Sequence, residues 1–352
     1  AHPFVGGRRQ KIRTDKTLHR SMNTTVKESR QTARAALSYQ HFHHFVTVAA
    51  QYFPMYGYAD EIPQNVMDSL RNDAVDKARQ ADMVIFIGGL NKNHYQDCEG
   101  GDRLSYALPF GQEQLIKELY QANKNMVAVI VSGNAVAMPW INEVPAVVQS
   151  WYLGTVGGQA LADVLVGKVN PSGKLPFSYP VKLEDCPAHF YGEMSYPGDS
   201  IREEYKEDIL VGYRWYDTKK IKPLFPFGYG IGYTTYQYSK PVLSAKTMRA
   251  GETLSVSVKI RNTGKMAGKE TVQMYIGDEK CTVLRPEKEL KGFQKVELQP
   301  GEEKEVVFTI HPEDLQFFDD KKHTWTVEPG KFKVYVSASS ADEHHTAEFE
   351  YL

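Results

Sequence analysis

Cysteine is scarce in this 352-residue sequence: only Cys98, Cys186 and Cys281 are present, and they lie far apart. An odd count argues against a disulfide framework, and no Cys/His spacing matches a zinc site, so no metal or other cofactor is expected. No His is spaced to serve Cys98 as a base, which leaves that thiol the role of a small, half-buried residue. Nor is there an apolar run near the roughly 20 residues that cross a bilayer, and no membrane partner is expected. The net charge of −1 removes any overall attraction to nucleic acid or anionic lipid. The first residues lack the apolar core of a signal peptide. The chain also opens on Ala1 rather than Met, so an upstream segment is expected and compartment stays open.

What is present is ordinary in bulk, with 41% hydrophobic and 24% charged residues, and long enough for two or three domains. The charge is unevenly spread. Residues 1–50 hold nine Lys/Arg against Asp15 and Glu28, a balance of +7 that leaves −8 for the rest. A nucleic-acid arm would need groove-reading or aromatic elements beside its charge, and this stretch has neither a hydrophobic repeat nor a strand–turn pattern. Residues 1–55 therefore read as an atypical basic segment, expected to be poorly ordered because little patterned apolar surface offsets its chain entropy.

From about residue 65 the sequence becomes regular. Val66, Leu70, Ala74 and Ala78 recur at helical spacing. The run 83–87 (MVIFI), ended by Gly88 and Gly89, is apolar on both faces, as a buried parallel strand is. A polar loop leads to Pro109, and a helix follows with Leu115, Ile116, Leu119 and Tyr120 on one side. Residues 126–131 (MVAVIV) and 146–151 (AVVQSW) read as two further strands, and 157–166 as a helix stopped by Gly167 and the turn 170–173 (NPSG). Alternating strands and helices indicate an α/β layer with a largely parallel sheet, assigned to residues 56–190. In such sheets ligands bind beyond the carboxyl ends of the strands, which directs attention to loops 88–109, 132–140 and 152–157.

Residues 191–240 form a connecting segment rich in Pro, Tyr and Gly. Its repeat Gly228, Gly230, Gly232 follows PLFPF rather than opening a helix after a strand, so a dinucleotide fingerprint is set aside. From 252 the period becomes two: Leu254, Val256, Val258 and Ile260, then Val272, Met274 and Ile276, then Val306, Phe308 and Ile310, then Phe332, Val334 and Val336. Short alternating strands with regular turns predict an all-β immunoglobulin/fibronectin III-like sandwich over 241–352, able to fold as a unit.

The loop 88–109 gathers His94, Asp97, Glu99, Asp102 and Arg103 within ten residues. Glycines after Glu99 allow a sharp bend that leaves its carboxylate projecting. Composition alone balances a binding loop against a solvated surface loop with local Asp–Arg pairing.

The stretch GGLNKNHYQDCEGGDRLSYALPFGQEQLI resembles the segment of family-3 glycoside hydrolases in which Glu-Gly-x-Asp-Arg precedes a Leu-Pro-x-x-Gln helix. SGNAVAMPW, QSWYLGTVGGQALADVLVGKVNPSGKLPFSYP and ILVGYRWYDTKKIKPLFPFGYGIGYTTYQYS are similar to the family's following segments. NTGKMAGKETVQMYI, RPEKELKGF and LQPGEEKEVVFTI resemble its fibronectin type III-like domain. The likeness runs from about residue 56 to the end, and residues 1–50 do not match.

The resemblance implies a retaining β-glycosidase of β-glucosidase or β-xylosidase type acting on a β-linked oligosaccharide or glucoside. Two carboxyl groups would flank the bond about 5–5.5 Å apart. Glu99 fills the position of the general acid/base; Asp97 is the weaker candidate for it. Asp97, Asp102 and Arg103 are candidates to touch sugar, with a local Asp102–Arg103 pair the favoured alternative. Trp140 and Trp151 could stack on sugar, with core packing favoured for each. The nucleophilic Asp belongs to an N-terminal (β/α)8 barrel that this sequence does not contain, so a barrel is the expected partner and the isolated chain is expected to be inactive. Export is common in the family, so a periplasmic or extracellular location is expected. A rival reading of the same fold is a non-catalytic carbohydrate-binding or assembly module. Sugar and linkage specificity would rest mainly on the absent barrel.

Overall fold

The structure, a computed structural model, describes residues 45–49, 63–91, 96–98, 101 and 103–352. It divides into two compact units, Ala1–Val166 and Gly167–Leu352. Among the described residues no helix is long and apolar enough to cross a membrane.

The first unit is built on four parallel strands in sequential order, β1 (Phe45–Ala49), β2 (Met83–Gly89), β3 (Met126–Val131) and β4 (Ala146–Gln149). Helix α1 (Gln64–Arg79) joins β1 to β2, and α2 (Gln112–Ala122) joins β2 to β3. Helical crossovers of this kind are what parallel neighbours require. Val84, Phe86, Val129 and Ile130 are wholly buried, as expected of strands covered on both faces. Ala78 of α1 and Ile116 and Leu119 of α2 are buried too. The two helices are tied at their ends: Asn123 Nδ2 donates to the carbonyls of Ala78 at 3.1 Å and Ala81 at 2.6 Å, beside and just beyond the last turn of α1. Helix α3 (Gly157–Leu165) follows β4.

Strand β1 corrects one expectation. It lies inside the basic segment from which no core element was expected. Its sequence, FVTVA, is β-branched at three successive positions, which favours a strand; averaging over a 50-residue stretch hides so short a run. The expectation of poor order for the rest of residues 1–55 lies outside the described residues.

The end of β2 explains the glycine pair. Pairing with β1 stops at Ala49↔Ile87, so on that side the described part of β1 offers Gly89 no backbone partner. The side chain of Gln112, 3% exposed, takes its place: Gly89 N donates to Gln112 Oε1 at 2.7 Å, and Gln112 Nε2 donates to the Gly89 carbonyl at 2.8 Å. A Cβ on Gly88 would fall 2.4 Å from Gln112 Oε1, and one on Gly89 would fall 1.9 Å from the Val131 carbonyl oxygen. Only glycine fits either place.

The second unit is a β-sandwich. One sheet runs β10 (Glu289–Leu298), β9 (Gly268–Asp278), β14 (Gly330–Ser339), β15 (Asp342–Tyr351) and β7 (Thr247–Met248). The other runs β11 (Glu303–Ile310), β8 (Leu254–Asn262) and β5 (Tyr236–Tyr238), with β6 (Val242–Leu243) also on β8. A separate hairpin pairs β12 (Phe317–Asp319) with β13 (Thr324–Thr326). Inward residues of both sheets share one core, Val256, Val258 and Ile260 facing Val272, Met274, Phe332 and Val334. The period-two reading thus holds, and the fold is the expected α/β layer with a parallel sheet followed by a fibronectin III-like sandwich.

Residues 167–240 pack within this second unit. Asn170 Nδ2 donates to the Ala267 carbonyl at 2.9 Å, and the Tyr213 hydroxyl accepts from Leu290 N at 2.8 Å. Lys174 Nζ lies 3.0 Å from Glu270 Oε1, to which the Tyr238 hydroxyl also donates at 2.9 Å. The glycine repeat serves these contacts. A Cβ on Gly228 would meet Gln273 Oε1 at 2.2 Å, one on Gly230 the Gly173 carbonyl at 2.2 Å, and one on Gly232 Asn170 Oδ1 at 2.5 Å.

Candidate active site

Parallel strands point their carboxyl ends to one edge, so the segments after β2, β3 and β4 emerge together. Asp97 joins all three. Its Oδ2 accepts the Gly133 N–H at 2.7 Å and the Tyr152 hydroxyl at 2.6 Å, while its own N–H donates to the Asn91 carbonyl at 3.0 Å. Arg103 makes a second cross-link, donating from Nη2 to the Ala135 carbonyl at 2.7 Å, with its guanidinium 5.7 Å from the centre of the Tyr106 ring. The loop is also closed on itself: Cys98 and Gly101 form an antiparallel bridge, and Cys98 Sγ lies 3.4 Å from the Gly101 carbonyl.

These residues wall an open cleft of about 350 Å³, lined by Gln96, Asp97, Cys98, Arg103, Asn134 and Tyr152 among others. Burial, and then the hydrogen bond to Asp97, push the Tyr152 phenol well above its ordinary range. The group therefore remains an O–H donor throughout the pH range in which proteins are usually handled. The cleft offers an acceptor already engaged by two donors, a fixed guanidinium and amide side chains.

Of the candidate residues, Asp97 and Arg103 are brought together on this edge. Glu99, Asp102 and His94 lie outside the described residues; Cys98 and Gly101, which flank residues 99 and 100 in the sequence, are both on the cleft wall. Trp140 is wholly buried, in the core as expected. Trp151 is half-buried at φ +57°, a conformation uncommon for a bulky residue, just before Tyr152 turns into the cleft. Tyr152 and Gln112 were not singled out from the sequence, although both lie in segments that carried the family resemblance.

A family model described as the glycosyl hydrolase family 3 C-terminal domain matches residues 9–233. The chain belongs to glycosyl hydrolase family 3. A fibronectin type III-like domain model matches residues 270–340. The family-3 match begins at residue 9, which corrects the reading that residues 1–50 stand outside the family. Beta-glucosidase BoGH3A of Bacteroides ovatus is 73% identical over 299 residues, which are 85% of this chain and 40% of that protein. The structure of a beta-glucosidase from Kluyveromyces marxianus in complex with glucose superposes with a TM-score of 0.74 at 38% identity, covering 80% of this family-3 chain and 33% of that one. Beta-glucosidase 3B from Thermotoga neapolitana, in complex with alpha-D-glucose, gives 0.73 at 30% identity, covering 96% and 44%. The chain thus spans less than half the length of these relatives.

Proposed function

We propose that this chain supplies the acid/base half of a retaining β-glucosidase, with Glu99 as the general acid/base. The observation that supports it is the cleft at the carboxyl edge, whose wall carries Cys98 and Gly101, which bracket residues 99 and 100 in sequence, in a family-3 chain whose relatives named above are beta-glucosidases. An Asp from an N-terminal barrel attacks the anomeric carbon while Glu99 gives its proton to the departing glycosidic oxygen. Glu99 then takes a proton from water, which attacks the same carbon, displaces the Asp and restores the β configuration. Asp97 and Arg103 act as positioning residues on this reading. Both Asp97 donors come from neighbouring loops, as does the carbonyl held by Arg103. Their main work is to hold the loop at a fixed distance from the bond being broken.

The isolated chain is expected not to hydrolyse an aryl β-glucoside at a useful rate. General acid catalysis contributes about 10²–10⁴-fold, and the covalent step lies with the barrel carboxylate. Joining a family-3 barrel upstream should restore turnover. In that hybrid, Glu99→Gln should cripple hydrolysis of substrates with poor leaving groups far more than of activated aryl glucosides, whose leaving group needs little protonation. The covalent intermediate should then accumulate, and azide should rescue its breakdown because it attacks without base assistance. Turnover by the bare chain, or equal behaviour of the two substrate classes in the variant, would show the assignment of Glu99 to be wrong.

A further inference from the structure

Helix α2 begins at Gln112, and a side chain in the first turn of a helix leans back toward and past the helix end. Gln112 therefore reaches the chain leaving β2 rather than its own helix. Its carboxamide, 3% exposed, accepts from Gly89 N at 2.7 Å and donates to the Gly89 carbonyl at 2.8 Å. Residues 90–111, which carry Asp97 and Arg103, lie in sequence between these partners. One side chain thus fastens the departure of that segment to its return. The chemistry is selective as well. A carboxamide offers an acceptor and a donor together, whereas an ionised Glu offers only acceptors, and Asn is one methylene shorter.

From Gly89 the fastening is passed on in short steps. Leu90 N donates to the Val131 carbonyl at 2.8 Å. Asn91 N donates to Gln96 Oε1 at 3.1 Å, and the Asn91 carbonyl accepts from Asp97 N at 3.0 Å. Asp97 is thus held by a residue two positions beyond Gly89, and from there its carboxylate meets Gly133 N at 2.7 Å and the Tyr152 hydroxyl at 2.6 Å. On the returning side Gln112 N donates to the Pro109 carbonyl at 3.3 Å, and the Tyr106 carbonyl accepts from Ala137 N at 2.9 Å. Hydrogen bonds weaken steeply off line, so a shift at Gly89 is felt at Asp97. We propose that Gln112 is a positioning residue of the carboxyl-edge cleft: by pinning both ends of residues 90–111 it sets where Asp97 meets the loops after β3 and β4. The consequence for turnover rests on the function proposed above, and the consequence for Asp97 does not.

The full chain tests this with Gln112→Met, which keeps the bulk and removes both hydrogen bonds, beside Asn123→Ala as the control. Asn123 follows the same helix at the amino edge of the sheet, where its side chain holds the Ala78 and Ala81 carbonyls. Hydrogen exchange without denaturant reads the Asp97 and Gly133 amides against the Val84 amide, which donates to the Asn125 carbonyl at 2.9 Å at that amino edge. A general loss of stability lowers all three together. In Gln112→Met the Asp97 and Gly133 amides should lose about five-fold more protection than Val84, the equivalent of one hydrogen bond; in Asn123→Ala they should not. In the barrel-restored enzyme Gln112→Met should lower kcat about ten-fold with KM unchanged, because a misplaced group is felt in the transition state, while Asn123→Ala should keep kcat. Gln112→Asn, which keeps the carboxamide and shortens its reach, is read in the same way if circular dichroism shows that Gln112→Met does not fold. An unchanged ratio of protection in the Gln112 variant, the same fall in Asn123→Ala, or an unchanged kcat in an active hybrid would overturn the proposal. A wild-type hybrid without turnover would count against the function alone, and exchange would still decide the placement of Asp97.

Discussion

Gln112→Ala is the most informative single change in the first unit. It removes the side-chain amide that stands in for a neighbouring strand at Gly89 and leaves a buried N–H and a buried C=O without their partner. An unsatisfied buried polar group costs about 1–3 kcal/mol, so the pair comes to about 2–6 kcal/mol. Water reaching the strand end would bring the value toward the lower bound. A domain is stable by only about 5–15 kcal/mol, so even the lower figure is a substantial fraction. Hydrogen exchange across a urea series can read the two units separately. Peptides spanning 83–91 and 126–131 should lose protection at lower urea in the variant, while those spanning 254–262 should be unchanged. A loss under about 1 kcal/mol, or an equal loss in both units, would refute the reasoning.

Gln112→Glu sharpens the test. One carboxylate oxygen could still accept from Gly89 N, but the other would face the Gly89 carbonyl with no proton to offer it. The acid form restores the donor. The new carboxyl should thus hold its proton more tightly when folded than the roughly 4.3 of an unfolded Glu. A raised folded value contributes stability below the unfolded value and loses it as pH rises through the folded one. The deficit of this variant should be smallest near pH 4 and grow toward neutrality, whereas that of Gln112→Ala should not change with pH.

Further outcomes follow from the same geometry. Tyr152→Phe removes one of the two donors to Asp97 at a partly exposed site, so it should cost about 1 kcal/mol and lower kcat/KM of a barrel-restored enzyme about five-fold, with the Gly133 amide still protected in hydrogen exchange. Gly89→Ala places a methyl group against the Val131 carbonyl at φ +141° and should prevent cooperative unfolding of the first unit, seen as loss of its transition in circular dichroism. Lys322, and then the turn N–H groups, hold the Asp319 carboxyl below the usual carboxylate range. A depressed folded value contributes stability above the unfolded value of about 3.9 and loses it as pH falls through the folded one. The protection factors of the Lys321 and Lys322 amides, measured against their intrinsic rates at each pH, should therefore be constant near pH 6 and fall toward one as pH drops below about 4.

How far the sequence announces these features depends on whether the signal is local. β2 and β3 stand out because a parallel strand covered on both faces must be apolar throughout, and β8, β9, β11 and β14 because one face of each meets the shared core. β10 is different. It is an edge strand whose middle residues are exposed, Phe293 at 69%, so its pattern carries no clean alternation. β15 mixes Glu, Thr and Phe and gains its place only by pairing with β14. Gln112 looks like any polar residue at the start of a helix. Its role belongs to the point where the described pairing of β1 ends, opposite Ile87, a fact no residue near 112 records.

The same distinction applies within the candidate site. Asp97 and Glu99 are two acids in one polar loop, and composition cannot assign them different work. What separates them is the accounting of donors. Asp97 Oδ2 already accepts from Gly133 and Tyr152, and both donors belong to loops that the fold alone brings near. An oxygen that ties two loops together in this way is committed to structure, through the Gly133 amide at 2.7 Å and the Tyr152 hydroxyl at 2.6 Å. An acid/base group must instead change its protonation state twice per turnover, which requires an oxygen not committed to structure. The contacts of Asp97 thus argue against it as the acid and make it the brace for whichever neighbour is. On the proposed function that neighbour is Glu99, and the brace is what Tyr152→Phe would loosen.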